Sequence, residues 1–220
     1  MIKPKLVIFD MDGLMLDTEP LAIAGWKVVE RELSVSIPNS LAKSVIGFNR
    51  ELCKTHMLEA LGQDFDFDRA LTLIHEDVDR HFNEHGIPLK PGLIQLLDRL
   101  DELGIKKAVA TSTSYDRAVH KLSMANIAHR FHSIIGGDMV EHSKPAPDIF
   151  LKAAQTCNTD PSDCIVLEDS NPGAEGAYRA GMRVIVVPDL VPPLEITRSR
   201  AYAVCDSLVD VCMLISTSSF

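Results

Sequence analysis

The segment Leu6-Val-Ile-Phe-Asp10-Met-Asp12-Gly13 constrains this chain more than any other. The short apolar run from Leu6 to Phe9 predicts a buried strand, ending in two carboxylates at i and i+2 and then a glycine. On a continued strand the two acids would share a face, but Gly13 signals that the chain turns there. Burying paired carboxylates is costly, so strands rarely end this way for structural reasons alone. Two acids in this position can bind a hard cation, or divide nucleophilic and acid–base work between them. A solvent-exposed acidic turn is the plainer alternative.

The 220 residues suffice for one sizeable core, or a core and a smaller accessory domain. A net charge of −9 argues against a general nucleic-acid binder, which needs a basic surface. An anionic substrate would therefore have to find local cations, either a metal or selected Lys and Arg side chains. The five cysteines are scattered and form no C-x-x-C pair, which reads as reduced thiols in a cytoplasmic protein. The apolar run after Met1-Ile-Lys-Pro-Lys is too short for a signal peptide, and no later stretch is long enough to span a bilayer. Neither a nucleic-acid nor a membrane partner is expected, and a monomer is the default.

Along the chain the pattern changes after Asp17. From Pro20 to about Glu84 helical periodicity dominates, with no convincing strand. Leu21, Ala24, Gly25, Val28 and Val29 mark the first helix; Pro38 opens a second; Leu52, Leu58 and Leu61 line a third. Ala70 to Phe82 forms a fourth, with Asp66 or Asp68 as its cap. Pro88 and Pro91-Gly92 close this block, and strands then alternate with helices. Strands are expected at Lys107–Ala110, Ser133–Ile135, Cys164–Leu167 and Arg183–Val187, with a short one within Ala201–Cys205. Ser114 is placed to cap the helix that follows the second strand. The final Ser216–Phe220 is expected to fray. This rhythm predicts an α/β fold: a Rossmann-like three-layer core around a parallel sheet, residues 1–15 and 88–220, interrupted by a helical domain at 16–87.

In such a sheet, functional groups gather beyond the carboxyl ends of the strands. Chemistry-bearing residues stand at four of these ends or in the loops after them: Asp10 and Asp12; Thr111 and Ser112; Lys144, after Gly136-Gly137-Asp138; and Glu168 and Asp169. Taken alone, each has an ordinary reading. Thr111 and Ser112 could be turn or cap residues, Lys144 an exposed loop lysine, and Glu168-Asp169 a solvated turn. Their shared topological position favours a single site.

Asp10-Met-Asp12-Gly13, Thr111-Ser112, Lys144-Pro145 and Glu168-Asp169 resemble, in order and spacing, the four motifs of the haloacid dehalogenase-like hydrolase superfamily. Residues 16–87 look like its type 1 helical cap. Gly136-Gly137-Asp138, Lys144-Pro145-Ala146-Pro147-Asp148 and Glu168-Asp169-Ser170 are similar to its β-phosphoglucomutase-like phosphatase branch. The resemblance implies a phosphatase acting on a small phosphomonoester, such as a sugar phosphate, through an aspartyl-phosphate. Asp10 would be the nucleophile and Asp12 the acid and base. Gly13, Thr111, Ser112 and Lys144 would bind the phosphoryl group. Mg²⁺ would be held by Asp10, the Asp12 carbonyl and Asp169, with Glu168 ligating directly or through water. Cap opening and closure would hinge near Leu14–Thr18 and Ile87–Pro91.

Within the family, an acid at Asp12 speaks for phosphoryl transfer rather than dehalogenation. Arg50 matches a phosphate-contacting arginine of the mutases, or is a solvated residue opening a helix. The histidine and lysine that accompany that arginine in the mutases are replaced here by Ala22 and Ile46, which favours a phosphatase over a β-phosphoglucomutase-type mutase. A non-catalytic binding or regulatory protein on the same fold is the alternative of another class; retention of all the motif residues argues against it. His81 and His85 stand at i and i+4 but lack the glutamate of a zinc-protease motif, so an exposed helix face is expected. Asp64-Phe-Asp66-Phe-Asp68 lacks the glycine and final glutamate of a calcium loop.

Overall fold

The computed structural model describes residues 4–217. In chain order the elements are β1 (Leu6–Phe9), α1 (Glu19–Leu33), α2 (Asn39–Ser44), α3 (Arg50–Leu61), α4 (Phe67–His85), α5 (Leu93–Glu102) and β2 (Lys106–Ala110). Then follow α6 (Tyr115–Met124), β3 (Ser133–Ile135), α7 (Asp148–Thr156), β4 (Cys164–Glu168), α8 (Asn171–Arg179), β5 (Arg183–Val186), α9 (Glu195–Arg200), β6 (Ala203–Val204) and α10 (Leu208–Thr217). By internal contacts the chain divides into two compact units, Met1–Asp17 with Pro88–Phe220, and Thr18–Ile87.

The first unit is built on a six-stranded sheet in the order β3-β2-β1-β4-β5-β6, with every pair parallel. This is a Rossmann-like α/β fold. Apolar residues run continuously along β1 and β4 because both sheet faces are covered. Leu6, Ile8, Ala108, Ala110, Cys164 and Val166 join Ile149, Phe150, Ala153, Ala174 and Ala177 of α7 and α8 in one core cluster. Val7, Phe9, Val109, Ile165 and Leu167 point the other way and are equally buried. Small residues let α8 approach closely: a Cβ on Gly176 would lie 2.9 Å from the Ala146 carbonyl.

The register sets the level of the strand ends. Phe9 is paired with Val109 on one side and with Leu167 on the other, so Asp10, Ala110 and Glu168 follow at the same height. The two linkers to the second unit pair at their bases: Leu16 bridges Leu89, the Asp17 amide donates to the Pro88 carbonyl, and the Lys90 amide donates to Met15.

The second unit is helical, α1 to α4, with Trp26, Val29, Met57, Ile74, Val78 and Phe82 buried in it. Trp26 is therefore a packing residue. α1 and α4 approach closely at Gly25, where a Cβ would lie 2.9 Å from Ile74. Asp66 caps α4, accepting from the Arg69 amide at 3.0 Å. Leu52 is exposed rather than inward.

Several local expectations differ from the structure. Ser114 precedes α6, but its side chain makes no capping bond; the Tyr115 amide donates instead to Asp138 Oδ1 at 2.7 Å. α9 and α10 were not expected. α10 runs through Thr217 into the tail expected to fray; residues 218–220 of that tail, like Met1-Ile-Lys3, lie outside the described residues. All five cysteines are free thiols, and burial pushes those of Cys53 and Cys164 up to about 12. Among the described residues no helix is long and apolar enough to cross a membrane.

Candidate active site

The centre of the site is an ammonium group touching three strand ends. Lys144 Nζ donates to Asp10 Oδ1 at 2.5 Å, to Glu168 Oε1 at 2.6 Å and to the Ala110 carbonyl at 3.0 Å. Asp10 follows β1, Ala110 closes β2 and Glu168 closes β4. The side chain of Lys144 is 3% exposed, so it is not an ordinary loop lysine, and its three donors are matched by three acceptors. Although burial opposes its charge, the carboxylates of Asp10 and Glu168 hold the ammonium well above the usual lysine range. Burial pushes the Asp10 carboxyl up to about 7, opposed by Lys144 and reinforced by Glu168 and Asp12. Further positive charge beside Asp10 would favour its anionic form.

Asp12 is positioned by the β2–α6 segment. Its Oδ2 accepts from Thr113 Oγ1 at 2.8 Å and its Oδ1 from Lys121 Nζ at 2.7 Å. Thr111 is buried at the end of β2, where its Oγ1 accepts from the Thr113 amide at 3.1 Å. The amides opening α6 lie in the same loop and form an anion-favouring helix start. Gly137 packs on the backbone of Ser112, where a Cβ would lie 2.5 Å from the Ser112 carbonyl. This contact links the Gly136-Gly137-Asp138 turn to the Thr111-Ser112 loop.

At the fourth strand end, Glu168 is fully buried, with both oxygens engaged. Oε1 receives Lys144; Oε2 receives the Ser170 amide at 3.1 Å and Ser170 Oγ at 2.8 Å. A side chain on Gly173, in the first turn of α8, would collide with this carboxylate. Glu168 is therefore a partner of Lys144 and Ser170, and any direct ligation of a cation would use the lone pairs that these bonds leave. Among the described residues, no group of three or more His, Cys, Asp or Glu side chains forms a ready metal cage.

The remaining donors are the buried carboxylates of Asp10 and Asp169 and the Asp12 carbonyl. Asp169 packs over the turn at Gly13, where φ is +85° and a Cβ would collide with Asp169 Oδ2. Only glycine combines this backbone conformation with so close an approach. An all-oxygen set with few carboxylates suits Mg²⁺, which keeps several waters when it binds, and the charge need at Asp10 suits a cation.

The structure thus brings Asp10, Ala110, Lys144 and Glu168 together directly, with Asp12, Thr111 and Thr113 in a linked network and Asp169 against the Gly13 turn. Arg50 belongs to the helical unit, where it opens α3 and pairs with Asp68 at 2.7 Å; Lys54 pairs with the same carboxylate. His81 and His85 stack with ring centroids 4.5 Å apart and belong to no metal group. Sequence reasoning did not single out Lys121, Thr113 or Gly173. The periodicity of α6 carries no sign that Lys121 turns to a strand end. A glycine in the first turn after Glu168-Asp169-Ser170 was the available hint for Gly173.

The family model for haloacid dehalogenase-like hydrolases matches residues 7–187. The chain is 31% identical over 179 residues to a phosphorylated carbohydrates phosphatase of Thermotoga maritima, covering 81% of this chain and 82% of that protein. It is 32% identical over 211 residues to a Drosophila melanogaster protein provisionally named pseudouridine-5′-phosphatase, covering 92% and 89%. Among solved structures, a Thermotoga maritima protein provisionally named β-phosphoglucomutase superposes with a TM-score of 0.79 at 27% identity, covering 98% and 100%. The chain accordingly belongs to the haloacid dehalogenase-like hydrolase family, as a phosphatase of its β-phosphoglucomutase-like branch.

Proposed function

We propose that the protein hydrolyses small phosphomonoesters, sugar phosphates or closely similar metabolites, through an aspartyl-phosphate on Asp10. The observation that carries this reading is the buried Lys144 ammonium, shared between Asp10 and Glu168 at three converging strand ends. It fixes the direction of the Asp10 carboxylate and places a permanent positive charge where phosphoryl oxygens would lie. The relatives support the substrate class, since phosphorylated carbohydrates and pseudouridine 5′-phosphate both present a phosphate ester on a sugar.

In the first half-reaction, an Asp10 oxygen attacks phosphorus in line as the P–O bond to the leaving group breaks. Asp12 gives its proton to the departing alkoxide. In the second, Asp12 takes a proton from water as that water attacks phosphorus, releasing phosphate and restoring the Asp10 carboxylate. Both Asp12 oxygens accept hydrogen bonds, from Thr113 and Lys121, so acting as an acid requires exchanging one of these for the leaving oxygen. Thr111, Ser112 and Lys144 are assigned to the equatorial oxygens, for which Lys144 would exchange one of its three acceptors; the Gly13 amide, which donates to the Leu16 carbonyl at 2.9 Å, would likewise have to exchange that bond to take part. Asp10, the Asp12 carbonyl and Asp169 would hold Mg²⁺, which when bound would supply charge that screens the carboxylate from the phosphate. Glu168 and Ser170 position Lys144. Arg50 is assigned to the distal part of the substrate, for which it would exchange Asp68.

Hydrolysis is favoured over intramolecular transfer because Ala22 and Ile46 stand where mutases of this branch carry a histidine and a lysine, leaving less to retain a bisphosphate. The test is phosphate release with Mg²⁺ across sugar phosphates, nucleotides and glycerol phosphate. With β-glucose 1-phosphate, free glucose supports the phosphatase and glucose 6-phosphate a mutase. No release from any ester would support a binding protein instead.

A further inference from the structure

Among the described residues, one buried carboxylate oxygen has no hydrogen-bond partner. Asp189, in the loop after β5, has a side chain only 10% exposed. Its Oδ1 accepts from Lys90 Nζ at 2.6 Å, and Lys90 also pairs with Asp17 at 3.0 Å. Oδ2 is buried and receives no hydrogen bond. This orphan oxygen faces the turn at Gly13, lying 3.4 Å from where a glycine Cβ would sit. Asp169 Oδ2 reaches into that same space, closer still.

A buried anionic oxygen without a donor is strongly disfavoured, and a second carboxylate oxygen aimed at the same place makes it worse. No lysine or arginine donates to Oδ2; Lys90 is committed to the other oxygen and to Asp17. What would satisfy Asp189 Oδ2 beside a second carboxylate is a group that is positive and also donates protons. A hydrated divalent cation is such a group: one oxygen ligates the ion and the other accepts from its bound water.

We propose that Asp189 belongs to the outer shell of the Mg²⁺ site, its Oδ2 accepting a hydrogen bond from a water on the ion held by Asp10 and Asp169. Lys90 fixes the carboxylate so that Oδ2 keeps this direction. This rests on the magnesium reading above but assigns a residue from a fifth strand end, outside the four motifs. Asp189 is a positioning residue, since it acts through the bound water and not on the substrate.

The experiment is calorimetric titration of the full chain with Mg²⁺, without substrate, for the wild type, Asp189→Asn and the exposed charge control Asp64→Asn. Asp189→Asn is expected to weaken Mg²⁺ binding about 10- to 100-fold, the usual effect of removing an outer-shell partner, with Asp64→Asn close to wild type. Far-UV circular dichroism in EDTA checks folding. Equal affinity in Asp189→Asn and wild type overturns the role of Asp189 alone, whereas no binding by the wild type overturns the magnesium reading beneath it. A crystal structure of the wild type with Mn²⁺ tests the same point without a substitution. A metal-bound water within hydrogen-bond distance of Asp189 Oδ2 is expected. Direct ligation by Asp189, or contact only with water not on the metal, contradicts the proposal.

Discussion

Lys121 Nζ lies 2.7 Å from Asp12 Oδ1, bringing the side of α6 to the acid that follows β1. With Thr113 on the other oxygen, this contact sets where the Asp12 carboxylate points. Positioned acid–base groups contribute about 10²- to 10⁴-fold to rate. Lys121→Met should therefore lower kcat by about tenfold or more with little change in KM, and Lys121→Arg should restore part of it. Steady-state kinetics on any turned-over ester decides the point; an unchanged kcat in Lys121→Met removes Lys121 from the site.

Gly173 has no room for a side chain, because a Cβ there would collide with Glu168. Glu168 cannot yield without loosening Lys144, so Gly173→Ala is expected to cost about 3 kcal/mol of stability, typical of overpacking, and most of the activity. Urea unfolding and phosphate release should fall together. Wild-type values for both would show that α8 can shift without disturbing the carboxylate.

The start of α6 offers a test of local structure. Asp138, not Ser114, accepts the first helical amide. Asp138→Ala should cost about 1 kcal/mol, the worth of a helix cap, and Ser114→Ala almost nothing. The opposite order in denaturant midpoints would restore the sequence-based assignment.

Asp101 contributes to the response to acid. Burial raises its pKa, but hydrogen bonds from Lys107 and Arg130 outweigh this and hold it below the usual carboxylate range. A depressed carboxylate contributes stability that is present above its unfolded pKa, about 3.9, and lost as pH falls through the folded value. Asp101→Asn should flatten thermal stability below about pH 4. At pH 7 it should cost roughly 1–3 kcal/mol: Lys107, fully buried, loses its counterion, but Asp101 is half-exposed and screened. Unchanged melting at both pH values would mean that the pair contributes nothing.

Much of this arrangement was legible in the sequence because the strands are short, apolar and end in chemistry-bearing residues. Asp10, Thr111 and Glu168 could be placed at one end of a sheet from that pattern alone. Lys144 was harder, since it belongs to a loop; only its position after Gly136-Gly137-Asp138 tied it to the others. Lys121 was invisible because a lysine on a helix usually faces water, and only the tertiary packing of α6 turns it to Asp12. α10 was missed because Leu208 to Ile215 is apolar on most sides and shows no polar stripe; it is buried against α5, a pairing distant in sequence. The bonds from Ser170 and Lys144 to Glu168 were not legible, because such partnerships leave no mark on spacing.

The central claim is that Asp10 carries the phosphoryl group. Its most direct measurement is phosphate release, with Mg²⁺, from the ester best hydrolysed by the wild type, compared with Asp10→Asn at matched folding. Turnover by the wild type and a loss of about 10³-fold or more in Asp10→Asn are expected. Wild-type turnover by Asp10→Asn would contradict it.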